Sequence, residues 1–216
     1  MHHLQKVINQ LAYRHQISNV FDDFMQLAIC CFAMKRMEEE YLSIIKRYKP
    51  EEQKLFGSAL GAMILDYESN SCQSGSWKDV LGNLFEETNS SSQASYNGQF
   101  FTPQSICQLM AQMTEENEQK QGLITVNDPS CGSGRNLIAH ARLKPNNRFS
   151  TFYVGSDLDY RCVKMSVLNF FMFGMAGVVI HMNTLSMEIY RGFRCWMPET
   201  GLGISPLTIE QCKQYV

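Results

Sequence analysis

The glycine-rich segment Asp128-Pro129-Ser130-Cys131-Gly132-Ser133-Gly134 combines residue types that suit ligand binding. The apolar run 123–126 precedes it and a helical pattern begins at about Arg135, which predicts a strand, a tight turn and a helix N-terminus. Glycines let the backbone approach a ligand closely, and amides in the first turn of a helix can donate hydrogen bonds to it. The segment is therefore predicted to bind a small molecule.

The residues around this turn argue against a phosphate ligand. A dinucleotide fingerprint needs a third glycine three positions after Gly134, where Leu137 stands, and no Lys-Ser or Lys-Thr pair follows as a P-loop requires. Asp128, at the end of the first predicted strand, would repel phosphate but suits a cationic or hydrogen-bond-donating ligand. Asp157 ends the second predicted strand, about 20 residues beyond the turn, where an acid can accept hydrogen bonds from a ribose diol. Asp159 is predicted instead to cap the next helix.

Two further segments belong to the same pattern. Upstream, the segment 98–103 reads Gly-Gln-Phe-Phe-Thr-Pro, in which Thr102 is predicted to cap a helix that begins at Pro103. This context favours a functional role for Phe101 over a role as a core aromatic residue. Downstream, a third apolar run at 177–180 is followed by Asn183.

The series Gly98 to Pro103, Asp128 to Gly134 and Gly155-Ser156-Asp157 resembles the motifs of N6-adenine DNA methyltransferases, in particular the modification subunit of type I restriction-modification systems. The similarity runs from about Trp77 to Leu185 and includes the helical segment 79–86. It implies S-adenosylmethionine (SAM) as the cofactor and DNA as the substrate. SAM carries an ammonium, a sulfonium and a ribose diol but no phosphate, which agrees with the residues of the turn.

The resemblance also implies roles for particular residues. The Phe-Thr-Pro segment would help hold the methionine end of SAM, the glycine turn would pass under it, and Asp157 would bind the ribose. Asn183 stands where family members commonly have an acid that accepts a hydrogen bond from the adenine amine, and its side-chain oxygen can also accept one. The implied cofactor-binding residues are Phe101, Thr102, Pro103, Asp128, Cys131, Gly132, Gly134, Asp157 and Asn183.

The sequence departs from the family in one motif. Adenine-N6 methyltransferases hold the flipped base against an Asn/Asp/Ser-Pro-Pro-aromatic tetrapeptide, and this chain contains no Pro-Pro pair. Three hypotheses follow: a SAM-binding subunit that is catalytically deficient alone, an active methyltransferase completed by a partner chain or acting on another substrate, and a non-catalytic interaction module. No catalytic residue is therefore assigned within the chain.

Composition limits the partners and the compartment. The chain has 216 residues, is 44% hydrophobic and has a formal net charge of −2, without the concentrated basic face of a protein that grips duplex DNA alone. DNA contacts are thus expected from a specificity subunit or another partner. Eight cysteines without a Cys-x-x-Cys pair predict neither a metal site nor disulfides. The N-terminus lacks a signal segment and no apolar window reaches bilayer length, so a cytoplasmic protein without membrane contact is expected.

The expected fold class is α/β, a partial Rossmann-like SAM-dependent methyltransferase fold. An all-helical region (1–87), a polar linker (88–97) and an α/β domain (98–216), incomplete at its C-terminal end, are predicted. Strands near 123–127, 152–156 and 178–182, joined by helices near 134–143 and 159–173, should form a parallel sheet in the order 3-2-1; a fourth strand within 191–197 stays open. The free edge of the first strand should be covered by the C-terminal tail, the helical region or a second copy in a homo-oligomer.

Overall fold

The protein is described by a computed structural model over residues 3–71, 77–89, 101–114, 122–143, 150–196 and 203–216. The chain divides into two compact units, 1–100 and 101–216. The finer division into 1–87, 88–97 and 98–216 stays a prediction, since residues 90–100 lie outside the described ranges.

All regular secondary structure in the described part of the first unit is helical. Its helices are α1 (His3–Leu11), α2 (Ile17–Phe32), α3 (Glu38–Ile45), α4 (Pro50–Ser71) and α5 (Val80–Asn89). The N-terminus of α1 is capped from α4: the buried Asp66 carboxylate accepts hydrogen bonds from the amides of His3 and Leu4 at 3.1 and 2.8 Å. This arrangement satisfies amides that have no partner inside the helix and favours a negative charge at the positive end of its dipole. The predicted all-helical N-terminal region is confirmed.

The second unit contains one mixed sheet. Its elements are α6 (Gln104–Thr114), β1 (Ile124–Asp128), α7 (Arg135–Leu143), β2 (Thr151–Asp157), α8 (Tyr160–Phe173), β3 (Gly177–Asn183), β4 (Glu188–Trp196), β5 (Gly203–Leu207) and α9 (Ile209–Cys212). The strands lie in the order β1-β2-β3-β4-β5. Strands β1, β2 and β3 are parallel, β4 pairs antiparallel with β3, and β5 pairs antiparallel with β4. The α/β class and the 3-2-1 order of the parallel strands are confirmed.

The two faces of this sheet carry different helices. On one face, Tyr153 of β2 contacts His140 of α7 and Phe170 of α8. On the other face, Val154 packs in a cluster with Cys212 of α9. Side chains alternate between the two faces of a sheet along each strand. Tyr153 and Val154 therefore show which face their register partners in the neighbouring strands occupy.

The C-terminal residues form an antiparallel hairpin, which includes the fourth strand that the sequence left open. Strand β4 covers the uncertain segment 191–197 except its last residue, and β5 pairs with β4 at the edge of the sheet farthest from β1. The expectation that the C-terminal tail covers the edge of β1 is therefore wrong for residues 203–207. They add instead to the opposite side of the sheet.

The helix after the Phe-Thr-Pro segment begins one residue later than expected. The carbonyl of Pro103 accepts the hydrogen bond from the amide of Cys107 at 3.0 Å, which is the bond that an N-cap residue accepts. Pro103 therefore occupies the N-cap position that the sequence assigned to Thr102.

The described part of the chain contains neither a candidate membrane span nor a candidate metal site. None of its helices has both the length and the hydropathy of a membrane span. No three side chains of His, Cys, Asp or Glu in these ranges come together as a metal site needs. None of the seven cysteines in these ranges forms a disulfide.

Candidate cofactor site

The glycine turn between β1 and α7 requires its glycines for two reasons. Gly132 has a φ of 56° and Gly134 a φ of 89°, a region that other residues rarely adopt. A Cβ atom on Gly132 would also lie 3.0 Å from the ring of Phe101, and one on Gly134 would lie 3.1 Å from the hydroxyl of Ser166. A side chain at either glycine would therefore strain the backbone and press against a neighbouring side chain.

Hydrogen bonds from β2 and α8 fix this turn. The amide of Cys131 donates to the Ser156 carbonyl at 2.9 Å. From α8, the Ser166 hydroxyl donates to the Gly132 carbonyl at 2.8 Å, and the Asn169 amide group donates to the Ser133 carbonyl at 2.7 Å.

Sequence reasoning missed Ser166 and Asn169, both of which are fully buried. The sequence pattern that could have revealed them is a pair of polar residues, three positions apart, on an otherwise apolar helical face. Buried polar groups need hydrogen-bond partners, and here the partners are carbonyl groups of the turn.

Asp157, at the end of β2, holds the turn from the side. One oxygen of its carboxylate accepts from the Gly132 amide and the other from the Asp159 amide, each at 2.8 Å. Burial raises the pKa of this carboxyl group above its usual value, and the two amide hydrogen bonds oppose that shift. A carboxylate has about four acceptor positions, so two more donors can be accommodated.

Asp128, at the end of β1, is also engaged on both oxygens. It accepts from the Ser130 amide at 3.1 Å and from the side-chain amide of Asn136 at 3.2 Å. The side-chain oxygen of Asn136 is buried and has no hydrogen-bond partner among the described residues. An oxygen in that position is available to a donor from a ligand or water.

The Phe-Thr-Pro segment lies against the turn. Phe101 covers Gly132, and the Arg135 guanidinium lies 5.1 Å from the centroid of its ring. Arg135 also donates to the Thr102 carbonyl at 3.4 Å. Arg135 is buried, and it connects the two motifs.

Cys131 turns its side chain away from solvent. Its sulfur lies 3.4 Å from the Ser166 hydroxyl, and burial raises the pKa of the thiol far above its usual value. The thiol therefore stays protonated and packs beneath the turn. A ligand contact at Cys131 would have to come from its backbone.

Asn183, at the end of β3, stabilises the next turn. Its side-chain oxygen accepts from the amides of Leu185 and Ser186 at 3.1 and 3.2 Å. Thr184 then donates to the Pro129 carbonyl at 2.8 Å, which ties this turn to the glycine turn. The expected contact of Asn183 with an adenine amine stays a prediction, and the oxygen would have to give up one of these bonds to make it.

Asp159 is the N-cap of α8, as predicted. Its carboxylate accepts from the Arg161 amide at 2.9 Å and pairs with the Arg161 side chain at 2.6 Å. The predicted helix cap at Asp159 is confirmed.

The structure therefore brings three sequence motifs to one end of the sheet. The carboxyl ends of parallel strands are the usual binding edge of such sheets. Here that edge presents two carboxylates beside a glycine turn, with Phe101 packed on the turn. Such a site favours a ligand with hydroxyl and cationic groups.

Comparison with known proteins identifies the family. The sequence pattern of the N-6 DNA Methylase family matches residues 76–193, which is more than half of the chain. The chain belongs to the N-6 DNA methylase family. No curated protein matches the sequence.

Two solved structures are similar to the chain. One is a Listeria monocytogenes protein assigned as a class I S-adenosylmethionine-dependent methyltransferase, with 16% identity and a TM-score of 0.49 over 85% of this chain and 53% of that chain. The other is the methyltransferase subunit of a type I restriction-modification system from Streptococcus thermophilus, with 19% identity and a TM-score of 0.44 over 84% of this chain and 38% of that chain. The chain spans about half of the first protein and less than half of the second.

Proposed function

We propose that the chain binds SAM at the glycine turn and acts as a subunit of a system that methylates adenine in DNA. The observation that carries this proposal is the pair Asp128 and Asp157, which end neighbouring parallel strands on either side of a turn with two left-handed glycines. A site with these acids at the turn suits a cofactor without phosphate, and membership of the N-6 DNA methylase family supports the same choice.

The residues of the site fit SAM. The two acceptor positions that remain on Asp157 suit the ribose diol, which donates two hydrogen bonds. Asp128 and the unpartnered oxygen of Asn136 suit the ammonium group, which needs acceptors. Phe101, held on Gly132 by its packing with Arg135, excludes water from the turn. Bound SAM supplies an electrophilic methyl group on sulfur, while these side chains bind and orient it.

The chain is proposed to be catalytically deficient alone, because it contains no Pro-Pro-aromatic segment. Two of its prolines follow a residue type that could begin such a motif, but both belong to other elements of the domain. Pro129 belongs to the glycine turn and accepts a hydrogen bond from Thr184. Pro206 lies in β5 and pairs with Phe193 of β4.

Two alternatives remain. The chain could be an active adenine-specific methyltransferase that a partner completes, or a methyltransferase that acts on another substrate with a catalytic base that the sequence does not reveal. It could also be an interaction module that does not use the cofactor. In each DNA-directed version a specificity or other partner subunit supplies most phosphate contacts, because the net charge is −2. A restriction-modification role places the protein in the cytoplasm.

Calorimetry with SAM separates the cofactor-binding functions from the interaction module. We expect saturable heat and a thermal shift; neither response at millimolar SAM would refute both cofactor-binding functions. Transfer of tritiated methyl groups to unmethylated DNA then separates the first two. Transfer by the isolated chain would contradict the deficiency, and transfer only with an added partner would establish the completed enzyme.

A further inference from the structure

Two buried polar side chains on helix α8 face the glycine turn. Ser166 and Asn169 are three positions apart, so they lie on the same side of the helix, and both are fully buried. They donate to the Gly132 carbonyl at 2.8 Å and to the Ser133 carbonyl at 2.7 Å. A buried polar group is costly unless it forms hydrogen bonds, so the bonds to the turn offset the cost of placing these two residues in the core.

The sequence of the turn does not by itself fix the direction of its peptide groups. Glycine adopts both signs of φ with similar ease, so Gly132 and Gly134 leave the backbone between them several conformations. In a trans peptide group the carbonyl and the amide point in opposite directions. Because Ser166 holds the Gly132 carbonyl on the side of α8, the amide of the same peptide group, which belongs to Ser133, points to the other side.

Helix α8 also controls both amides that Asp157 accepts. The first is the amide of Asp159, the N-cap residue of α8, and the second is the amide of Gly132, each at 2.8 Å. The position of Gly132 depends in turn on the bond from Ser166. A carboxylate held by two donors has a fixed orientation, and its remaining acceptor positions then have fixed directions.

We propose that Ser166 and Asn169 are positioning residues for the cofactor, which act through the carbonyl groups of Gly132 and Ser133 to orient the turn and Asp157 toward SAM. Both side chains are fully buried, so they influence SAM through the turn and not by touching it. The packing leaves little room for another arrangement, since a Cβ atom on Gly134 would lie 3.1 Å from the Ser166 hydroxyl. This inference rests on the proposed function.

A positioning role predicts a change at Asp157 that a purely structural role does not. Burial raises the pKa of the Asp157 carboxyl group, and the amide hydrogen bonds from Asp159 and Gly132 oppose that shift. If Gly132 loses its anchor on Ser166, its bond to Asp157 loosens and the pKa rises further. The pH at which acidification halves the SAM affinity should then move upward. The other charged or titratable groups around Asp157 stay the same in every variant; they are Asp128, Cys131, Asp159, Arg161, Cys162 and His181.

Three alanine substitutions on α8 test the proposal in the full chain. Ser166→Ala and Asn169→Ala remove the two groups that bind the turn. Val167→Ala is the matched control, because it deletes atoms of a fully buried apolar side chain from the same helix. Calorimetry over a pH series measures the Kd for SAM, thermal unfolding measures stability, and hydrogen exchange of the Gly132 amide reports on the turn without ligand.

We expect Ser166→Ala and Asn169→Ala each to weaken SAM binding about 2- to 10-fold, which is the effect of one hydrogen bond. Both should raise the pH of half-maximal affinity, and Ser166→Ala should speed exchange of the Gly132 amide. Val167→Ala should lower the melting temperature and leave the Kd, the pH profile and the exchange unchanged.

The outcomes separate this inference from the proposed function. Without saturable heat from the wild-type protein, the proposed function fails and the inference fails with it. If the wild type binds SAM, an unchanged Kd and pH profile in Ser166→Ala and Asn169→Ala would overturn the inference alone, and so would equal effects of Val167→Ala. If only one of the two turn variants folds, its Kd and pH profile decide. Failure of both to fold would also overturn the inference, since their role would then be structural.

Discussion

The substitution Asp157→Asn tests both the turn and the proposed ribose contact. The carboxylate accepts two amide hydrogen bonds at 2.8 Å, and an amide side chain has one oxygen to replace two. At least one charge-assisted hydrogen bond is lost, which lowers the free energy of unfolding by about 1.5–3 kcal/mol. Loss of one such bond to the ribose weakens SAM binding by the same free energy, or about 10- to 100-fold in Kd.

The assay is isothermal calorimetry with SAM, paired with thermal unfolding of the same samples. Asp159→Asn is the matched control, because it makes the same chemical change two residues away. Asparagine is as good an N-cap residue as aspartate, so this control should keep α8 and retain SAM affinity. An unchanged affinity in a folded Asp157→Asn protein would show that the ribose is placed wrongly.

The pH dependence of Asp157 follows from its raised pKa, whose main cause is burial. Because the folded-state pKa is raised, protonation favours the folded state. The contribution of Asp157 to the free energy of unfolding is complete below the pKa of the unfolded state. It is lost as the pH rises through the pKa of the folded state. The stability difference between wild type and Asp157→Asn should therefore shrink with rising pH, from about 3.8 upward. Conversely, SAM affinity should fall when acidification protonates the ribose acceptor. A SAM affinity that is constant through this range would contradict the assignment.

Three further sets of substitutions test the described packing. Gly132→Ala should lower the free energy of unfolding by about 1–2 kcal/mol, because the φ of Gly132 is 56°. Gly61→Ala, in open space within α4, should raise the free energy of unfolding by about 0.5–1 kcal/mol. Equal effects of the two substitutions in chemical denaturation would contradict the turn geometry. Arg135→Met should speed hydrogen exchange in the Phe-Thr-Pro segment, since its contacts hold that segment on the turn, and unchanged exchange would argue against this contact. A Cβ on Gly192 would meet the Cys212 sulfur, so Gly192→Ala should destabilise the protein and Cys212→Ala should relieve part of the loss; strict additivity in the double mutant would refute the clash.

The parallel strands could be predicted because their sequences are simple. The run Val178-Val179-Ile180 is buried on both faces, so it reads as a continuous apolar segment. The N-cap at Asp159 could also be predicted, because acidic residues before a helical pattern satisfy its first amides.

The antiparallel hairpin was harder to predict. Strand β4 contains Arg191 and Gly192, which interrupt the alternation of a half-buried strand. Strand β5 contains Pro206, which is tolerated because β5 is the edge of the sheet. Its pairing with β4 depends on contacts that no local pattern encodes.

Within the site, the sequence predicted which segments meet but not how their polar groups are used. Asp157 was assigned to a ligand, yet it also binds the Gly132 amide. Asn183 was assigned to an adenine amine, yet its oxygen accepts two amides of its own turn. Short-range hydrogen bonds of Asp and Asn side chains to nearby backbone groups compete with ligand contacts. Only the three-dimensional structure reveals which of these bonds form.

The hydrogen bonds of the glycine turn bear on how fast a ligand can bind. The backbone of residues 131–133 is held by hydrogen bonds with Ser156, Asp157, Ser166 and Asn169. A preorganised loop spares an incoming molecule the entropic penalty of ordering it. Association at this turn should then be limited by diffusional encounter and desolvation, and not by a slow rearrangement of the chain.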